Sequence, residues 1–147
     1  MNGNTNDLIL KTMTSIIAFI LLGFSLYLFF AGHNAPGGGF IGGLMTSAAI
    51  VLLNMAYGQS ATRNSLPVNF RFLFKLGLII ALGTGFGSFL FNEPFLSQTF
   101  AYFQLPILGR TELATALLFD LGVYFTVIGV TMTIILSIAE DREEVSQ

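Results

Sequence analysis

Asp120 is the one acidic residue set well inside a long apolar stretch of this chain. A carboxylate in such surroundings is costly, so it marks a place where a charge or a hydrogen bond is wanted. Two readings stand side by side. Asp120 carries or meets an ion, or it makes a structural hydrogen bond to a neighbouring helix or sits in the headgroup zone. His33 is the sole histidine. It titrates near neutral pH and could pass a proton, or it simply bonds backbone in a turn. Glu93 precedes Pro94 at the end of an apolar run, where it is a solvated loop acid or a gatherer of cations. These three are the ion-path candidates. Lys75 lies one turn after Arg71 near the start of its run and reads as a snorkelling anchor. Asn54 lies near the end of its own run and is expected to bond to a neighbouring helix.

Much chemistry is excluded. There is no cysteine, so disulfides, thiolate catalysis and Cys-ligated metals are out. One histidine builds no His-rich metal site. No nucleophile–base pair and no cofactor box appears, so no metal, no cofactor and no enzyme activity is expected. The net charge is −2 with no basic patch, which argues against nucleic acid. The dense glycines at 37–39 lack the GxxxxGK[ST] spacing of a phosphate loop, and the GxGxG at 83–87 has no strand–turn–helix around it.

The elements that hold these residues follow from composition. Of 147 residues 54% are hydrophobic and only 10% are charged, where a soluble domain carries about 25%. With a mean hydropathy of +0.78, lipid must solvate much of the surface. The expected fold is an all-α integral membrane protein, a single domain over 1–147 with four transmembrane helices. The spans are placed at about 8–30, 40–57, 72–91 and 112–139. Residues 1–7 read as a loose polar tail, 58–71 as a polar loop, 92–111 as an outward loop and 140–147 as a tail in the cytoplasm. Within the outward loop, 95–108 is apolar but too short to span and is broken by Pro106. Four spans put both termini on one side. Lys11, Arg63, Arg71, Lys75 and Arg142 lie on that side and Arg110 alone on the other, so both termini are expected to be cytoplasmic.

The first two spans are joined by His33, Asn34, Ala35, Pro36, Gly37, Gly38 and Gly39, followed by Phe40. Proline and glycine interrupt a helix there, so the spans must return antiparallel and pack side by side. Pro36 suits the first turn of the second span. Gly37, Gly38, Gly39, Phe40, Gly42 and Gly43 are the expected turn and packing residues. Gly42, Gly43, Thr46, Ser47, Ala48 and Ala49 make the second span rich in small side chains, which mark close helix contacts in lipid. Gly83, Gly85 and Gly87 would permit a bend or close packing in the third span.

The fourth span has Thr111 as candidate N-cap and Glu112 at its positive end. Its fourteen Leu, Ile, Val and Phe residues between 113 and 139 contribute about −5 to −6 kcal/mol of insertion free energy, against about +3 for one Asp. The helix therefore inserts with Asp120 in it. Thr115, Gly122, Thr126, Gly129, Thr133 and Ser137 form one small stripe, read as a contact face. Asp120 lies about 160° from Gly122 around the helix, on a face with Ala116, Tyr124, Val127 and Thr131. The helix is thus expected to meet different neighbours on two faces.

The string GHNAPGGGFIGGLMTSAAIVL, residues 32–52, resembles the signature of the MnhB-type component of Mrp-type (Mnh-type) monovalent cation/proton antiporters. Related subunits occur in membrane-bound hydrogenases that resemble respiratory complex I. The resemblance extends in character over the whole chain. It implies a bacterial or archaeal cell membrane and a multisubunit Na+/H+ antiporter driven by the proton gradient. The large subunits of that antiporter resemble the proton-pumping subunits of complex I. The partners implied are those other membrane subunits, the bilayer, monovalent cations and protons. The chain would pack against them and line part of an ion path, or serve as a purely structural subunit of an antiporter or hydrogenase-type complex. One intramembrane charge and no clear repeat fit a part of a transporter better than a whole one.

Overall fold

The computed structural model describes residues 2–32, 38–90 and 109–145. These form five helices: α1 Asn2–Ala31, α2 Gly38–Tyr57, α3 Gln59–Ser65, α4 Phe70–Leu90 and α5 Gly109–Val145. Four of them, all but α3, are long and apolar enough to cross a membrane.

Most large side chains point outward, and most of the buried residues are small. Phe19 is 79% exposed and Ile79 68%, whereas Ser25 and Ala49 are fully buried. Lipid tails are as apolar as leucine, so burying a large side chain gains little, and close backbone approach decides the packing. In space the long helices run α1, α2, α5, α4, each packed on the next. α1 and α2 are antiparallel: the Ser15 hydroxyl meets the Tyr57 hydroxyl at 2.7 Å near one end, and Ser25 meets the Gly42 carbonyl at 2.7 Å further along. α2 and α5 run parallel, since Gly39 meets Asp120 and Gly43 meets Val127. α4 returns antiparallel to α5, with Gly77 against Gly122 and Thr126, and Phe74 against Gly129.

Several boundaries differ from the sequence expectation. The polar start is not a loose tail: α1 begins at Asn2, and Asp7 pairs with Lys11 one turn on at 2.8 Å. α2 starts at Gly38, so Gly38 and Gly39 are first-turn helix residues. The expected loop at 58–71 contains α3. Gly58 separates α2 from α3 with φ 85° and ψ 159°, a conformation that L side chains rarely adopt, while its amide still bonds the Asn54 carbonyl at 2.9 Å. α5 starts at Gly109, which puts Thr111 inside its first turn and not at the N-cap, and it continues to Val145 through the charged residues from Glu140. In α4 the segment with Gly83 and Gly87 is helical, and a Cβ at either glycine would meet nothing, so these glycines make no close contact among the described residues.

Candidate functional site

The centre of the site is the parallel contact between the first turn of α2 and the second quarter of α5. Gly38 and Gly39 are buried there. A Cβ placed on Gly38 would stand 2.9 Å from Asp120 Oδ2, and one on Gly39 would run into the Asp120 carbonyl oxygen. The bare backbone at the start of α2 thus admits both the carboxylate and the main chain of Asp120. The carboxylate is half-buried and engaged. It lies at the start of α2, where unpaired amides and the helix dipole favour negative charge.

One turn further on, Tyr124 carries a hydroxyl network into the middle of three helices. Ser25 of α1 donates to the Gly42 carbonyl at 2.7 Å. The Ser25 and Thr46 hydroxyls lie 2.6 Å apart, and those of Thr46 and Tyr124 also 2.6 Å. Each hydroxyl has one hydrogen. With that of Ser25 spent on Gly42, Thr46 donates to Ser25 and Tyr124 donates to Thr46. The chain of donors ends on a backbone carbonyl and ties α1, α2 and α5 together. Phe29 packs edge-on to the Tyr124 ring with centroids 5.2 Å apart. Gly42 and Gly43 make room for this: a Cβ on Gly42 would be 3.4 Å from the Tyr124 ring, and one on Gly43 2.9 Å from Val127 Cβ.

The opposite face of α5 packs differently. A Cβ on Gly129 would stand 2.5 Å from the Phe74 nitrogen, and one on Gly122 2.6 Å from the Ala81 nitrogen. Here backbone meets backbone. Thr126 and Thr133 turn their hydroxyls onto their own helix, bonding the carbonyls of Gly122 and Gly129 at 2.7 and 2.6 Å.

Of the residues singled out from sequence, the structure brings together Asp120, Gly38 and Gly39, and beside them Gly42 and Gly43 with Tyr124. Phe40 projects outward, 55% exposed. His33, Pro36, Gly37 and Glu93 lie outside the described residues. Asn54, expected to bond a neighbouring helix, has its Oδ1 buried with no hydrogen-bond partner among the described residues. Ser25 and Gly77 were missed by sequence reasoning. A lone serine amid the large apolar residues of α1 was a usable signal; a single glycine in α4 was overshadowed by the denser glycines after it. No cluster of His, Cys, Asp or Glu able to hold a metal occurs among the described residues.

Comparison with known proteins shows the family. Residues 9–133 match the family described as "Domain related to MnhB subunit of Na+/H+ antiporter". The chain is 62% identical over 138 residues to a Bacillus subtilis protein named as the B subunit of an Na(+)/H(+) antiporter, covering 94% of this chain and 96% of that one. It is 54% identical to the protein of the same name from Alkalihalophilus pseudofirmus, covering 95% and 97%. It is 45% identical to a Staphylococcus aureus protein named putative antiporter subunit mnhB2, covering 93% and 97%. With four apolar helices and relatives matched nearly end to end, this multi-pass membrane protein belongs to the family of domains related to the MnhB subunit of Na+/H+ antiporters.

Proposed function

We propose that the chain is a small membrane subunit of a multisubunit Na+/H+ antiporter, driven by the proton gradient, which packs against other membrane subunits and exchanges no ions by itself. The observation that carries this reading is the similarity, over 94% and 95% of the chain, to two proteins named as antiporter subunits of the MnhB kind. The chain's own chemistry supports it, because coupling two ions calls for several ionisable groups at the membrane midplane. The test is reconstitution. The purified chain in liposomes should give no Na+-driven proton movement, while the chain supplied to cells lacking their own MnhB-type protein should restore exchange. Antiport by the chain alone would overturn the reading. Both termini face the cytoplasm in this proposal, on the strength of the lysine and arginine distribution. An Asn64→Cys variant labelled by an impermeant reagent from outside intact cells would invert that orientation.

Within the complex, Asp120 lines the outer end of a cation or proton path, with His33 and Glu93 as further contributors. A second reading is favoured by the placement of Asp120 against Gly38 and Gly39 of its own α2, which suits a structural carboxylate at a helix start. Asp120→Asn separates the two. An ion-path residue gives a fully assembled complex with lower apparent cation affinity or a shifted pH optimum. A structural one lowers the amount assembled and leaves the kinetics of each complex unchanged.

A further inference from the structure

α2 and α4 pack on different faces of α5, and no broad contact joins them among the described residues. Where α2 and α5 finish and α4 begins, α3 and residues 66–69 help to enclose a cleft of about 550 Å³. Its level in the membrane follows from its lining. Phe70 and Arg71 open the third apolar span, Glu140 closes the fourth, and Asn54 lies one turn short of the end of the second. The cleft therefore stands where hydrocarbon gives way to headgroups.

The charge left uncommitted there is positive. Glu140, the one carboxylate in the described lining, is already engaged. Arg71 is exposed and makes no hydrogen bond or ion pair among the described residues. The Asn69 side-chain oxygen accepts from the Phe72 amide at 3.3 Å, which leaves its NH2 group to donate. Gln59 makes no side-chain bond among the described residues. A guanidinium with two primary amides beside it suits a phosphate, which accepts from all three. The lining also holds oxygens whose hydrogens are spent. Thr62 donates to the Gly58 carbonyl at 3.1 Å and Thr133 to the Gly129 carbonyl at 2.6 Å. Their lone pairs accept from hydroxyls, so a phosphate that bears a hydroxylated group meets both halves of the lining. Arg71, Lys75, Leu78 and Leu82 fall along one face of α4. The two cations are exposed, and deeper in the membrane Leu78 and Leu82 are 40% and 50% exposed. Cations at headgroup level above bare leucines match a phospholipid, whereas a free phosphate makes no use of the leucines. We propose that this cleft holds the headgroup of an anionic, hydroxylated glycerophospholipid such as phosphatidylglycerol, its phosphate on Arg71 and an acyl chain along Leu78 and Leu82. The proposal is independent of which ions the complex moves.

The test is native mass spectrometry of the purified full chain in mild detergent, titrated with dioleoylphosphatidylglycerol or dioleoylphosphatidylcholine. The first phosphatidylglycerol should bind about fivefold more tightly than the first phosphatidylcholine. Arg71→Gln should remove that preference. Gln59→Leu keeps the bulk, removes one amide, and should weaken phosphatidylglycerol about threefold. Lys11→Gln should leave the preference unchanged, since that cation belongs to α1, at the Tyr57 end of the molecule, and is paired with Asp7. Excess inorganic phosphate should not displace the lipid. Equal binding of the two lipids, an undiminished preference in Arg71→Gln, or an equal loss in Lys11→Gln would overturn the proposal. Displacement by inorganic phosphate would overturn it as well. So would a preference present in the free chain and absent from the assembled complex, which would mean that a neighbouring subunit fills the cleft. Either cleft variant is sufficient to decide.

Discussion

The two long faces of α5 meet their neighbours by different means. Toward α4 the contact is bare backbone: Gly122 and Gly129 approach Ala81 and Phe74, and Gly77 approaches Thr126. Threonines on that face turn their hydroxyls inward to their own helix. Toward α2 the contact is polar. Asp120 sits against Gly38 and Gly39, and the Tyr124 hydroxyl reaches through Thr46 to Ser25 of α1. The first face gains stability from dispersion between closely approached chains and tolerates no added atom. The second fixes register and direction, because a hydroxyl network has one satisfied arrangement and a slip of one residue would break it.

Breaking either contact at its backbone should have the largest effect. Gly129→Ala places a methyl 2.5 Å from the Phe74 nitrogen, and Gly39→Ala drives one into the Asp120 carbonyl. Neither obstacle is a flexible side chain, so the helices must part. Each variant should cost about 3 kcal/mol or more. It should be read as a steep fall in the chain recovered from membranes and in its aggregation temperature in detergent. Gly38→Ala is the sharpening control. Its methyl comes closest to the far end of the Asp120 side chain, 2.9 Å away, which can move, while the Gly32 Cα stands at an ordinary 3.5 Å. Its effect should be at most half that of Gly39→Ala, and equal losses would show that the start of α2 is rigid as a whole.

Tyr124→Phe tests the polar face alone. It keeps the ring against Phe29 and removes the donor to Thr46. The expected cost is about 1 kcal/mol, seen as a modest fall in aggregation temperature with assembly retained. A loss as large as that of Gly39→Ala would mean that the hydroxyl network, and not the glycine contact, holds α2 on α5. Gly83→Ala should have the smallest effect. Its Cβ meets nothing, so the gain in helix propensity of about 0.5–1 kcal/mol should leave the chain as stable or slightly more so. Marked loss of the assembled complex in this variant alone would place another subunit against that part of α4.

The stripe of Thr115, Gly122, Thr126, Gly129, Thr133 and Ser137 was legible as a periodicity of three and four, and so was the separate face of Asp120. Both follow from helix geometry alone. The stripe nevertheless divides in the structure: Gly122, Thr126 and Gly129 carry the packing on α4, whereas Thr133 and Ser137 line the cleft. Asp120 was read as an ion-path residue or as one bonding a neighbouring helix, and its described surroundings include Gly38 and Gly39 of α2. Gly83 and Gly87 had the denser glycine pattern, yet Gly77 makes the contact. A glycine permits close approach without requiring it, and its use depends on what the facing helix brings.

The sequence by itself determined that four long apolar helices form and where the small and the charged residues fall around them. Composition and the 3.6-residue period suffice for that, since a backbone in lipid has to bond within its own helix. Only the tertiary structure decided that α5 lies between α2 and α4, that α2 runs parallel to it, and that Tyr124 completes a network begun by Ser25. The physical reason is that lipid and helix surfaces are equally apolar, so no hydrophobic pattern names the partner of a face. That choice rests on paired shapes, glycine against backbone and hydroxyl against hydroxyl, which exist only once both helices are in place.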